Sequence, residues 1–123
     1  IAEGTAAEGS FTKIKKQDNG LIYKVEVVCF EDFAGSNTTK DIDLYGNTGH
    51  VNSGSDVTSG TSIQIINSAG NYSVGQRKET ASGTVLTDGL HNYRLYFADG
   101  DNAHAGGGYS AGKFMVKLYG IPE

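Results

Sequence analysis

The chain has 123 residues, the length of a single domain with a modest core. Its 10 Lys and Arg against 14 Asp and Glu give a net charge of -4, without a basic cluster among aromatics, which disfavours nucleic-acid binding. No apolar run reaches about 18 residues, so no membrane-spanning helix is predicted.

The composition and the short apolar runs of the sequence are typical of an all-β protein. It holds 18 glycines and one proline, and its short apolar runs are separated by Gly, Asn, Ser and Asp. Residues 1–10 are small and acidic without a clear period, so we expect an extended or frayed terminus. Ile1 is a poor product of simple methionine removal, and we expect a processed or partial chain.

The first half of the chain is predicted to contain three strands. Phe11 to Lys16 is a short strand, and the turn Asp18-Asn19-Gly20 leads into a second strand, Leu21 to Phe30. A third strand, Asp41 to Gly46, precedes a surface loop or weak edge hairpin over residues 47–60. Alternation predicts the following inward residues in these strands: Leu21, Tyr23, Val25, Val27, Cys29, Ile42 and Leu44.

The second half reads in the same way. Thr61 to Asn67 is a strand with Ile63 and Ile65 on one face, and it ends at a turn over residues 68–71. Residues 76–82 read as an exposed edge, and Gly83 to Thr87 as a brief strand before the turn at Asp88-Gly89. No convincing helix is predicted.

Two long strands joined by a polar, glycine-rich loop end the chain. The first, His91 to Ala98, places Tyr93, Leu95 and Phe97 on one face. The second, Lys113 to Tyr119, places Phe114, Val116 and Leu118 on one face. With seven or eight strands at spacings of about ten residues, residues 1–123 are predicted to form a single antiparallel β-sandwich.

Chemistry-bearing residues occur without a recognisable catalytic or metal-binding spacing. The histidines His50, His91 and His104 lie in or beside predicted loops and form no ligand motif. The loop from Asp99 to Asn102 lacks the glutamate that completes an EF-hand, and the triple glycine at 106–108 precedes no helix. We therefore predict no catalytic residue, no metal site and no cofactor, and a protein that is not an enzyme.

The single cysteine excludes an intrachain disulfide within the given sequence. Cys29 alternates with Val25 and Val27, so its predicted role is that of a small apolar core residue.

The carboxy-terminal region resembles the end of chaperone-usher pilus subunits. The strand Arg94 to Gly100, a loop of small residues and the final alternating strand Phe114 to Tyr119 have the order that this family shows. Thr61 to Gly70 and Tyr23 to Cys29 also resemble family strands, so the likeness extends over Leu21 to Tyr119. Two features depart from the family: Cys29 lacks its earlier partner, and residues 1–16 do not alternate as a donor segment does.

The resemblance implies an incomplete immunoglobulin-like sandwich in a cell-surface, extracellular fibre. An extended segment from an assembly chaperone, and later from a neighbouring identical or related subunit, would complete it by strand addition. The implied groove is lined by Phe114, Val116 and Leu118, with Tyr93, Leu95 and Phe97 packed behind them. Adhesive loops would bind a host glycan or protein receptor.

Three other interpretations stay open at this point. A self-complete sandwich would need no partner strand. A virion surface protein, such as a capsid decoration or tail-fibre domain, has the same composition. A carbohydrate-binding module would use exposed tyrosines, for which the candidates are Tyr45, Tyr72 and Tyr109.

Overall fold

The computed structural model describes residues 10–35, 42–51, 57–67, 73–99 and 109–122. Within them, two antiparallel sheets dominate, accompanied by one short helix and one 3-10 turn. The strands and the helix are β1 (Thr12–Lys13), α1 (Lys16–Asn19), β2 (Leu21–Gly35), β3 (Ile42–Asn47), β4 (Ser62–Ile66), β5 (Arg77–Glu79), β6 (Arg94–Asp99) and β7 (Tyr109–Ile121).

One sheet has the strand order β1-β6-β3-β4 and the other has the order β5-β2-β7. Both are antiparallel throughout, and the most extensive pairing joins β2 to β7 from Leu21–Ile121 to Gly35–Tyr109. The prediction of an all-β protein is therefore confirmed. The strand that begins at Leu21 is the central strand of its sheet, since β2 lies between β5 and β7.

The main hydrophobic core draws side chains from both sheets. Val25, Val27 and Cys29 of β2 are buried together with Ile42 and Leu44 of β3, as alternation predicts. The remaining buried members of this cluster are Ile14, Ile22, Ile65, Ile66, Leu86, Leu90, Tyr93 and Leu95. The two sheets therefore pack on each other through this cluster.

A second, smaller cluster packs around the fully buried Tyr96, on the side of the β3–β6 pair away from the main core. It contains Val51 and Val57, which are buried although both belong to the segment expected to be a surface loop. Tyr45 is also a member and is 8% exposed, so the prediction that Tyr45 is exposed is wrong. Tyr72 and the side chain of Tyr109 lie outside the described residues.

The Tyr96 hydroxyl connects this cluster to the chain between β3 and β4. It accepts a hydrogen bond from the Val51 N–H at 3.1 Å and donates one to the Gly49 carbonyl at 3.3 Å. Tyr96→Phe should lower the free energy of unfolding by about 1–3 kcal/mol, because it leaves the buried Val51 N–H without its acceptor. Denaturant unfolding measures this loss, and the exposed control Tyr23→Phe should change stability by less than about 0.5 kcal/mol. Equal effects of the two substitutions would contradict the assigned role of the hydroxyl.

Irregular pairing in β2 explains one wrong prediction. The register against β7 shifts between Ile22 and Lys24, which leaves Tyr23 as an extra residue. Such a bulge reverses the faces on either side of it, so Ile22 is buried and Tyr23 is 56% exposed. The expectation that Leu21 and Tyr23 share the core face with Val25 is therefore incorrect.

A similar shift occurs where β4 pairs with β3. Leu44 lies opposite Ile66 and Tyr45 opposite Gln64, so Ile65 is the extra residue. Both Ile65 and Ile66 are buried as a result, whereas Ile63 is only partly buried. Strict alternation over Ile63 and Ile65 does not predict Ile66 as a core residue.

Two segments predicted as strands fold otherwise. The first predicted strand is reduced to the two residues of β1, and Lys16–Asn19 forms the helical turn α1 instead. Gly83 to Thr87 contains no strand; the chain there enters a 3-10 turn over Thr87–Leu90. Asp88, Gly89 and Leu90 all have positive φ in that turn, and Leu90 is fully buried. Burial of the leucine side chain thus offsets the energetic cost of a positive φ, which is unfavourable for residues other than glycine.

Candidate functional site

Strand β7 is the longest edge strand in the described residues. The edges of the first sheet are β1 and β4, of 2 and 5 residues, and those of the second are β5 and β7, of 3 and 13 residues. Natural proteins commonly shorten or cover their edge strands, because free main-chain groups there can pair with another chain. A 13-residue edge is therefore the feature of this fold most suited to pairing with another strand.

The hydrogen bonds that β2 makes on its β5 side show in which direction the main-chain groups of β2 point. The Thr80 N–H donates to the Val25 carbonyl and the Cys29 N–H donates to the Gln76 carbonyl, both at 3.0 Å. Alternate residues of a strand direct their N–H and C=O to opposite sides, so those of Glu26 and Val28 face β7.

The pairing register between β2 and β7 then gives the direction of the main-chain groups in β7. Glu26 lies opposite Lys117 and Val28 lies opposite Met115, so Lys117 and Met115 direct their main-chain groups toward β2. The N–H and C=O of Val116 and Leu118 consequently point away from β2. Among the described strands, β2 is the one that pairs with β7, so the outward groups of Val116 and Leu118 meet no strand there.

The inward side chains of the same strand are incompletely covered. Phe114, Val116 and Leu118 pack against the main core but are only partly buried. Their β2 neighbours are better covered: Val25, which pairs with Leu118, and Val27, which pairs with Val116, are at most 1% exposed. The core thus closes over β2 and stays partly open along β7. Strand addition requires residues that combine outward main-chain groups with partly exposed apolar side chains.

Aromatic rings continue this partly open region to the first sheet. The Phe97 ring of β6 lies 5.5 Å from the Phe114 ring and 5.1 Å from the Phe11 ring, centroid to centroid. Phe11 precedes β1 and is 45% exposed. The three rings therefore connect the β7 edge to the β1 end of the first sheet.

The structure brings all six residues of the predicted groove into contact with one core cluster. Tyr93 and Leu95 are buried members, and Phe97, Phe114, Val116 and Leu118 pack against the cluster at its partly covered side. Phe11 belongs beside them but was missed by the sequence reasoning. The signal for it is an aromatic residue at the start of a predicted strand, which alternation alone cannot assign to a particular partner.

The solvent face of β7 carries lysines that are already paired within the chain. Lys113 Nζ lies 3.3 Å from Glu31 Oε2, and Lys117 Nζ lies 3.5 Å from Glu26 Oε1. That Glu26 oxygen is buried and accepts no hydrogen bond, so its contact with Lys117 is purely an ion pair. Lysines on an edge strand usually discourage pairing with other chains, and these ion pairs weaken that effect.

Other chemistry-bearing residues in the described part of the chain have structural roles. Burial, together with the nearby Asp32 carboxylate, raises the pKa of the Cys29 thiol, which donates a hydrogen bond to the Glu31 carbonyl at 3.3 Å. This is the environment of a core cysteine, as predicted. His91 Nδ1 accepts a hydrogen bond from the Lys16 N–H, and His104 lies outside the described residues.

Neither a metal site nor a membrane-spanning helix is found in the ranges that the structure describes. No group of three or more His, Cys, Asp or Glu side chains there is arranged to hold an ion. The helical segments of the same ranges are too short and polar to cross a bilayer.

Comparison with known proteins adds no relative. No protein-family model, no curated protein and no solved structure matches the chain. The resemblance to chaperone-usher pilus subunits thus stays a prediction, and function must be inferred from the geometry of the β7 edge.

Proposed function

We propose that this chain is a structural, non-enzymatic subunit of an extracellular fibre, in which a strand from a neighbouring subunit adds to the edge of β7. The two sheets would then form an immunoglobulin-like sandwich that is completed by the incoming strand. Its partners are identical or related subunits and, before assembly, a chaperone that occupies the same edge.

One observation supports this proposal most directly. Val116 and Leu118 combine outward main-chain groups with only partly buried inward side chains, on the longest edge strand of the described residues. An added strand gains affinity from main-chain hydrogen bonds and selectivity from alternate side chains that fill apolar pockets. Both contributions are available at the same two residues.

Fibre formation by the purified full chain tests the proposal. Val116→Asp should abolish fibres in electron micrographs, because the incoming strand would have to bury an unpaired carboxylate beside the core. The matched control Val85→Asp, at a side chain 76% exposed, should assemble like the wild type. Circular dichroism of the unassembled Val116→Asp chain separates loss of assembly from loss of fold.

The contrary result is equally clear. Fibres that form undiminished from folded Val116→Asp chains would show that assembly does not use this edge. A wild-type chain that stays a stable monomer under all assembly conditions, with or without an added extended peptide, would also refute strand addition.

A further inference from the structure

The β7 edge is compatible with a copy of itself. In an antiparallel pair, residues whose main-chain groups face outward become the hydrogen-bonded partners across the new interface. Val116 has outward groups and lies within Phe114–Tyr119, the part of β7 that pairs with β2 without a register shift. A two-fold axis at Val116 would place Val116 opposite Val116 of a second copy, with the two β7 strands overlapping from Lys113 to Tyr119.

Charge distinguishes this register from its neighbours. With the axis at Val116, Lys113 lies opposite Tyr119 of the second copy and Met115 lies opposite Lys117. The first contact is of the cation–aromatic type that Tyr119 already makes with Lys24, whose Nζ is 4.2 Å from the ring centroid. No two like charges oppose each other in this arrangement.

Both adjacent registers juxtapose lysines. An axis at Met115 places Lys113 opposite Lys117 twice, and an axis at Lys117 places Lys117 opposite itself. Like charges directly opposite each other on neighbouring strands are destabilising. A shift of the axis by one residue in either direction keeps the core-facing side chains on the same side, so electrostatics selects among three otherwise equivalent registers.

We infer that, when no other strand occupies the edge, two copies of this chain pair through antiparallel β7 strands about an axis at Val116. The resulting six-stranded sheet has the order β5-β2-β7-β7-β2-β5. This inference rests on the proposed function, because it names the occupant of the same edge before assembly. The dimer is isologous and closed, so it withholds the edge from fibre growth until it dissociates.

Charge substitutions at Met115 test the register in the full chain. Met115→Glu places a carboxylate opposite Lys117 of the second copy and should tighten the dimer, whereas Met115→Lys should loosen it. Each shift in the dissociation constant should be about twofold to thirtyfold, because the contact occurs twice in the symmetric dimer. Sedimentation velocity over a concentration series measures both constants.

A change in net charge alone cannot produce these shifts in the dissociation constant. The chain carries a net charge of -4, so an added carboxylate raises the general repulsion between copies and an added lysine lowers it. The control variants Val85→Glu and Val85→Lys should show only that weak opposite trend, because Val85 is 76% exposed and belongs to none of the described strands. A Met115 effect of the predicted sign is therefore specific to the register.

Hydrogen exchange at the Val116 amide of the wild type provides an independent readout. Self-pairing predicts protection that rises with protein concentration together with the dimer fraction. Rapid exchange in a chain that is monomeric at all concentrations would overturn the inference, and so would protection that is independent of concentration, which indicates that a segment of the same chain covers the edge. A dimer unaffected by Met115 charge, or affected with the opposite sign, would also overturn it.

These outcomes are separable from failure of the proposed function. Fibres that require Val116 while the soluble chain stays monomeric would refute self-pairing and leave strand addition supported. Dimers with the predicted Met115 dependence, in a chain that never forms fibres, would support self-pairing and refute the fibre.

Discussion

Leu95→Ala should lower the free energy of unfolding by about 2–5 kcal/mol. Leu95 is fully buried in the main core and lies on β6, opposite Thr12 of β1 and Gly46 of β3. Removal of its three outer carbon atoms loses their burial and leaves a cavity, which the hydrogen-bonded strands on both sides cannot fully close. The Phe11 N–H donates to the Leu95 carbonyl at 3.1 Å, so β1 is held at the same residue.

Denaturant unfolding followed by circular dichroism measures this loss. Val74→Ala is the matched control, because Val74 is 59% exposed and should change the unfolding free energy by less than about 0.5 kcal/mol. A loss below about 1 kcal/mol for Leu95→Ala would contradict the assignment of Leu95 to a tightly packed core.

Gly120→Ala should cost about 1–3 kcal/mol through overpacking. A methyl group on Gly120 would collide with the main-chain carbonyl oxygen of Asn19, the last residue of α1. It would also approach Ile22 Cδ1 to 3.2 Å. The added atom must therefore displace either the α1 turn or the end of β7, where Gly120 pairs with Ile22.

The control for this substitution is Gly49→Ala, whose new methyl would meet Asn47 Oδ1 at an ordinary 3.4 Å. We expect the thermal midpoint to fall clearly for Gly120→Ala and little for Gly49→Ala. Equal midpoints for the two variants would show that α1 does not pack against β7 in solution.

The sequence predicts the strand content well where alternation is regular. Ile42, Leu44, Val25 and Val27 are buried as expected, since a period of two fixes the face of each side chain. Leu21, Tyr23 and Ile66 were assigned to the wrong face, and each lies at or beside a bulge. A bulge is set by the register between strands distant in sequence, and that information is absent from the local pattern.

The conformations of two turns account for further differences between the predicted and the observed structure. Asp18-Asn19-Gly20 does end with a positive φ at Gly20, but the residues before it form a helical turn rather than a strand. Leu90 adopts a positive φ, which the presence of a leucine does not predict. Burial of its side chain in the core stabilises that conformation. The candidate edge was predicted as a set of six residues, whereas its open side and the role of Phe11 became visible only from the strand order.

The Asn47 side chain has a consequence for how this protein can vary. Its Nδ2 donates to the Val57 carbonyl at 3.0 Å and also to the Ser59 carbonyl, and its Oδ1 accepts from the Gly49 N–H at 2.8 Å. One buried amide therefore fixes both ends of the segment between β3 and β4, independently of residues 52–56. Because the entropic cost of closing a loop grows only slowly with its length, residues inserted between Val51 and Val57 should be tolerated, and a foreign peptide displayed there should leave the fold intact.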